Sequence, residues 1–325
     1  MTTAPLLAVT MGDPSGIGIE ISAKAWQRRE VDHLAPFFLI GGKDEVTAQI
    51  NRLFPEVPVE VIPEPAASRE IFARALPLLA LEDGLDPAEQ TIEAIRLGVE
   101  LCQSGDASAL VTNPIHKRRL YEAGFTHPGH TEYLAALTGE DGKSVMMLAC
   151  TALKVVPATV HIPIAKVPEA LDAARLSHVI ETTHRDLTRR FGLASPRLVV
   201  AGLNPHAGED GTIGREEETV IRPVIAKLQA DGMKISGPFP ADSLFHPAAR
   251  QNYDAAICMY HDQALIPIKT IDFDGGVNVT LGLSIIRTSP DHGTAEDIAG
   301  KGLASPLSLI AAIKLAAEMA DATHG

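Results

Sequence analysis

The chain has little cysteine, no surplus of basic charge and no apolar run of membrane-spanning length, and each shortage closes off a class of protein. Only three cysteines occur, Cys102, Cys150 and Cys258, widely separated and odd in number. That excludes a disulfide-stapled scaffold and fits reduced thiols in a cytoplasmic protein. Lys and Arg number 28 against 41 Asp and Glu, for a formal net charge of −13. With no Lys/Arg-rich segment to offset that balance, nucleic acid is excluded as a partner. No apolar stretch approaches the roughly 18 residues of a membrane span, and residues 1–7 carry no basic leader, so neither a membrane partner nor export is expected. Internal repeats, low-complexity tracts and a flexible linker are also missing; two domains, if present, must share a sheet or exchange segments.

What is present is 325 residues with 46% hydrophobic content, enough for a large core. Strand-length apolar runs alternate with longer helical patterns, which predicts βαβ units and a largely parallel sheet. Strands are expected at 6–10, 37–40 and 108–112. Helices are expected over 19–29, from Pro87 after an Asp86 cap to Gly105, and over 167–191, 215–231 and 306–322.

His161, His206 and His261 each follow a separate apolar run, at 158–160, 198–203 and 255–260. Read as buried strands, these runs deliver three imidazoles to one sheet edge, where open α/β folds place their ligands. Three neutral imidazoles with an open position suit a Lewis-acidic divalent metal. Their wide spacing matches no zinc-finger or zincin motif, and scattered histidines are commonly surface or core residues. Asp242 and Asp262 put carboxylates beside the same edge, able to orient an imidazole, accept a proton or serve simply as loop residues. In an acidic chain, the isolated cations Lys269 and Arg287 are candidates for holding an anion.

Residues 12–18 form a turn of pattern G-x-x-x-G-x-G between a strand and a helix, a place for an anion or merely a tight turn. It is not the dinucleotide fingerprint G-x-G-x-x-G. Around Gly42-Lys43, Phe37 and Asp44 stand where a P-loop requires glycine and Ser/Thr, which disfavours an NTPase. Gly129-His130-Thr131-Glu132 opens a helical pattern and reads equally as a cap or a ligand contact.

The segment His292-Gly293-Thr294-Ala295-Glu296-Asp297-Ile298-Ala299-Gly300 resembles the adenosine-binding loop of isocitrate and isopropylmalate dehydrogenases, H-G-S/T-A-P-x-x-A-G, which binds nicotinamide cofactors without the Rossmann fingerprint. Glu296 departs from the proline of that pattern. With Gly12-Asp13-Pro14, Gly129-His130-Thr131-Glu132, residues 203–209, 259–263 and 277–282, and Ile286-Arg287-Thr288, the chain resembles the 4-hydroxythreonine-4-phosphate dehydrogenase family of pyridoxal phosphate biosynthesis. The resemblance implies a two-domain α/β fold of the isocitrate/isopropylmalate dehydrogenase type, with mostly parallel sheets and a cleft between domains. The division expected is 1–128 plus 285–325 on the cofactor side and 129–284 on the substrate, metal and dimerisation side.

It further implies a cytoplasmic homodimer with its active site at the subunit interface, and one divalent metal per subunit (zinc, magnesium or cobalt) on His161, His206 and His261. His130, Thr131, Lys269, Asn278 and Arg287 would bind a small phosphorylated amino-acid substrate. Asp242, Asp262 or Lys269 would take the alcohol proton. His292, Gly293, Thr294, Ala295 and Asp297 would bind the cofactor. Because an acidic side chain at the Asp297 position accepts a ribose 2′-OH and repels a 2′-phosphate, NAD is expected ahead of NADP. Relatives acting on threonate or erythronate 4-phosphate, a three-histidine metal hydrolase and a non-catalytic ligand-sensing module are the competing readings.

Overall fold

A computed structural model describes residues 4–127 and 129–324. Residues 1–3, 128 and 325, which include three limits of the expected domains, lie outside the described part. The described strands, in chain order, are β1 (Leu7–Thr10), β2 (Phe37–Gly41), β3 (Val59–Val61), β4 (Leu76–Ala80), β5 (Ala109–Thr112), β6 (Val145–Cys150), β7 (Leu153–Pro157), β8 (Arg197–Ala201), β9 (Lys234–Phe239), β10 (Ala255–Cys258), β11 (Val277–Leu281) and β12 (Arg287–Pro290). The chain divides into two compact units, Met1–Ser144 with Leu283–Gly325, and Val145–Gly282.

In the first unit the strand order is β3-β4-β2-β1-β5-β12, and every pairing in it is parallel. Leu7 is level with both Phe37 and Ala109, so the carboxyl ends of β2, β1 and β5 arrive together. These strands are buried along their whole length, as parallel strands covered by helices on both faces must be. The helix Pro87–Ser104 packs against β1, β2 and β5 and shows why its ends fall where they do. Asp86 accepts hydrogen bonds from Ala88 N and Glu89 N, Glu89 answers to Asp86 N, proline opens the first turn, and Gly105 closes it in the left-handed region.

The second unit has the order β11-β6-β7-β10-β8-β9. Its β7, β10, β8 and β9 run parallel, whereas β6 and β11 are antiparallel additions. The core beneath the helix His261–Ile271 contains Leu148, Val155, Val199, Ala256 and Ile268. Cys150 and Cys258 are buried and Cys102 is half-buried, and none of the three is in a disulfide.

Three local expectations need correction. The strand before His161 is β7, ending at Pro157; residues 158–160 lie past it. The helix expected over 167–191 is two helices, Val167–Ala170 and Ala173–Arg190, because Leu171 leaves helical geometry and Asp172 caps the second by accepting from Arg175 N. Over 215–231 a π-turn, Glu217–Ile221, precedes the α-helix Arg222–Ala230.

Candidate functional site

Within the second unit, β7, β10 and β8 are neighbours running in one direction. His161 lies just beyond the carboxyl end of β7, His261 opens the helix after β10, and His206 lies in the turn Pro205–Gly211 after β8. The next parallel strand, β9, ends at the turn Ala241–Ser243, which holds Asp242 and touches the turn of His206. Thus the sequence-predicted metal ligands and one candidate base share one edge.

The rings of His161 and His261 are 5.8 Å apart between centroids. Both line a cavity of about 230 Å³ with Thr159, Tyr260 and Asp262. The backbones beneath are tied, since Thr159 Oγ1 donates to Met259 O at 2.7 Å. Nδ1 of His261 lies 2.7 Å from Asp262 Oδ1; donating there leaves Nε2 with its lone pair, the tautomer a metal requires. His206 is exposed and does not line this cavity. Among the described residues, no three His, Cys, Asp or Glu side chains gather closely enough to grip an ion. The donor chemistry nevertheless fits a borderline divalent metal: two paired imidazoles, one oriented by a carboxylate, and a third at the adjoining strand end.

A second group lies in the first unit. His130 and Thr131 begin the helix His130–Thr138, whose cap, Gly129, offers no side chain to its amides. Burial first, and then the charges of Arg287 and Lys117, push the His130 imidazole well below its usual value of 6.5, so it is neutral at pH 7. Its Nε2 is sealed from solvent without a hydrogen-bond partner. Arg287, at the start of β12, donates from Nη2 and Nε to Thr112 Oγ1 at 2.7 and 3.2 Å. Burial lowers its guanidinium to about 10, which leaves it cationic at neutral pH. Helix-terminal amides, two cations and a neutral imidazole together suit an anion such as a phosphate monoester. Lys269 and Asn278 belong to the second unit: Lys269 Nζ is 5.2 Å from the Phe273 ring, and Asn278 stands opposite Leu148 in the β11–β6 ladder.

The third group is the loop after β12. Ile17 N donates to Thr294 O at 3.1 Å. Lys24 donates to Gly302 O and Ala304 O, and Glu20 accepts from Ala304 N. Glu296, the departure from the dehydrogenase pattern, is held by Arg119, whose other nitrogen binds Asp13 at 2.8 Å. The loop is therefore pinned at its middle and its end, while Gly293 faces open space and Asp297 is exposed. Nδ1 of His292 donates to Gly293 O at 2.9 Å, leaving a buried Nε2 acceptor without a partner. An acceptor of that kind fits a hydroxyl or amine donor on a nucleoside. The glycines of residues 12–18 have an explanation within the protein. Gly12 has φ +73°, and a Cβ there would lie 2.7 Å from Pro114 O, so the turn is shaped by close backbone approach.

The profile of the pyridoxal phosphate biosynthetic protein PdxA family matches residues 35–316. The chain belongs to this family. Relatives named 4-hydroxythreonine-4-phosphate dehydrogenase include one from Ruegeria sp., 53% identical over 98% of both chains. Another, from Methylorubrum populi, is 51% identical over 97% of this chain and 94% of its own. The crystal structure of the 4-hydroxythreonine-4-phosphate dehydrogenase from Klebsiella pneumoniae is 36% identical and superposes with a TM-score of 0.86, covering 98% of this chain and 100% of that one.

Within this PdxA family member, sequence reading missed Lys117, Arg119 and Glu217. Lys117 and Arg119 carried a signal, being cations just after the strand that ends at Thr112. Glu217 carried none, because a glutamate in a glutamate-rich helix start reads as a solvated face, whereas it is 1% exposed.

Proposed function

We propose that the protein oxidises 4-hydroxy-L-threonine 4-phosphate at its secondary alcohol with NAD, assisted by one divalent metal per subunit. The product, 2-amino-3-oxo-4-phosphooxybutanoate, is a β-keto acid that loses carbon dioxide to give 3-amino-2-oxopropyl phosphate. Membership of the PdxA family supports the substrate class. The observation that carries the chemistry is the arrival of three histidine-bearing strand ends at one edge of a parallel sheet.

His161, His206 and His261 would hold the cation, which when bound supplies Lewis acidity to the substrate's hydroxyl and then to its ketone. Zinc, cobalt and magnesium all suit this role. Asp262 holds the His261 ring by its Nδ1, and that occupation removes it from the contest for the substrate proton. Asp242, in the turn beside that of His206, would take the hydroxyl proton, and NAD when bound would supply the acceptor for the hydride lost from the same carbon, the O–H and C–H bonds breaking as the C=O bond forms.

His130, Thr131, Lys269, Asn278 and Arg287 bind the phosphorylated substrate, joined by Lys117. His292, Gly293, Thr294 and Ala295 accommodate the adenosine, and Asp297 accepts the ribose 2′-OH, which makes NAD the preferred cofactor and NADP the poorer one. The active form is a cytoplasmic homodimer whose partner completes each site.

NADH formation from 4-hydroxythreonine 4-phosphate should exceed that from threonate or erythronate 4-phosphate, with Asp242→Asn lowering kcat by roughly 10²- to 10⁴-fold. Equal turnover of the three substrates contradicts the substrate assignment, and an unchanged kcat contradicts the role of Asp242.

A further inference from the structure

The turn that carries His206 is an unusual piece of backbone. His206, Ala207, Gly208, Glu209 and Asp210 have φ of 53, 51, 81, 43 and 54°, a left-handed run in which only Gly208 escapes the Cβ penalty. A strained conformation of this kind persists only where its surroundings over-determine it. Two buried side chains brace the chain leading into it, Glu217 at 1% exposure and Gln263 at 9%.

Gln263 works between strand ends. The ladder between β10 and β8 runs to the pair Ile257 and Val200. Beyond it, Gln263 Oε1 accepts from Met259 N at 2.6 Å and its Nε2 donates to Gly202 O at 2.8 Å, so one side chain continues the cross-link for another step. Glu217 then takes over on the far side of Gly202. Its Oε1 accepts from Asn204 N at 2.7 Å and its Oε2 from Asn204 Nδ2 at 2.9 Å, while Asn204 Nδ2 also donates to Glu216. The carboxylate also fills the space beside two glycines: a Cβ on Gly208 would meet Glu217 Oε2 at 2.7 Å, and one on Gly202 would meet Oε1 at 3.1 Å. Glu217 opens the π-turn Glu217–Ile221, a helix irregularity that recurs at functional sites.

We propose that Gln263 and Glu217 are positioning residues that form one buried strut between the backbone of His261 and that of His206, fixing the two strand ends from which those imidazoles would reach a metal ion. The inference rests on the reading of His161, His206 and His261 as the metal ligands. The strut joins the two strand ends that bear those ligands and lies outside the ladder that holds the sheet. Metal affinity is sensitive to such outer support, because ligand atoms must be held to within a fraction of an ångström.

The test uses the full chain, stripped with chelator and titrated with Co²⁺, which reports affinity and ligand geometry through its visible spectrum. Glu217→Gln and Gln263→Glu conserve shape, and each removes part of the strut's hydrogen bonding. Both should fold, with circular dichroism and apo-protein Tm close to wild type, yet bind Co²⁺ roughly 10- to 100-fold more weakly with an altered spectrum. Folded variants with wild-type affinity and spectrum overturn the inference, as does failure of both variants to fold, which would make the strut a general support of the sheet. If the wild-type chain itself does not bind Co²⁺, the three-histidine reading fails first and the inference falls with it.

Discussion

His130 shows at the scale of one residue how surroundings set chemistry. Burial and the nearby charges of Arg287 and Lys117 depress its imidazole, so the folded protein binds fewer protons there than the unfolded chain does. Below about pH 6.5 the unfolded chain gains a proton that the folded one resists, and stability falls as pH falls towards the folded pKa. Wild type should therefore lose more Tm between pH 7 and pH 5 than His130→Asn does; equal losses would remove the burial argument. Asp297 permits a second residue-scale prediction, because its exposed carboxylate, placed at the ribose as proposed, would repel a 2′-phosphate. Asp297→Lys should shift the ratio of kcat/KM for NAD over NADP towards NADP by roughly tenfold or more, about 1.4 kcal/mol. An unchanged ratio refutes the assignment of that position to the ribose.

At the scale of elements, ends were legible where side chains cap them. Asp86, Pro87 and Gly105 bound a helix in the sequence, and the structure places Pro87–Ser104 between the same residues. Asp86→Ala should cost about 1 kcal/mol in urea unfolding, and a loss near zero would mean the capping box is not formed in solution. The helices over 167–191 and 215–231 were less readable. Leu171 and the π-turn at Glu217 break the helical course; Pro168 and Pro223 lie near these breaks but fit equally the first turn of one continuing helix, so tertiary packing decides between the two. The left-handed turn at His206 was invisible for the same reason, since four of its five residues disfavour that conformation and only the Glu217 carboxylate and its neighbours explain it.

For the whole molecule, alternation of apolar runs with helical patterns announced a parallel α/β protein, and the family motifs announced which one. Strand order was beyond reach, because β12 reaches β5, and β10 lies between β7 and β8, through contacts far apart in sequence. That order matters most for function, as it puts His161, His261, His206 and Asp242 along one edge. The predicted trio was thus legible as three strand-end histidines, while the supports beneath them were not. In the proposed function, a cation held at that edge would enable dehydrogenation of a phosphorylated amino alcohol. Its most direct test is NADH formation from 4-hydroxythreonine 4-phosphate, before and after chelator treatment and again on adding back zinc, cobalt or magnesium, in wild type and in a chain with all three histidines replaced by alanine. Turnover should be lost on chelation, recover with at least one metal in wild type, and not recover in the triple variant. Full turnover in the presence of chelator, or in the triple variant, would contradict it.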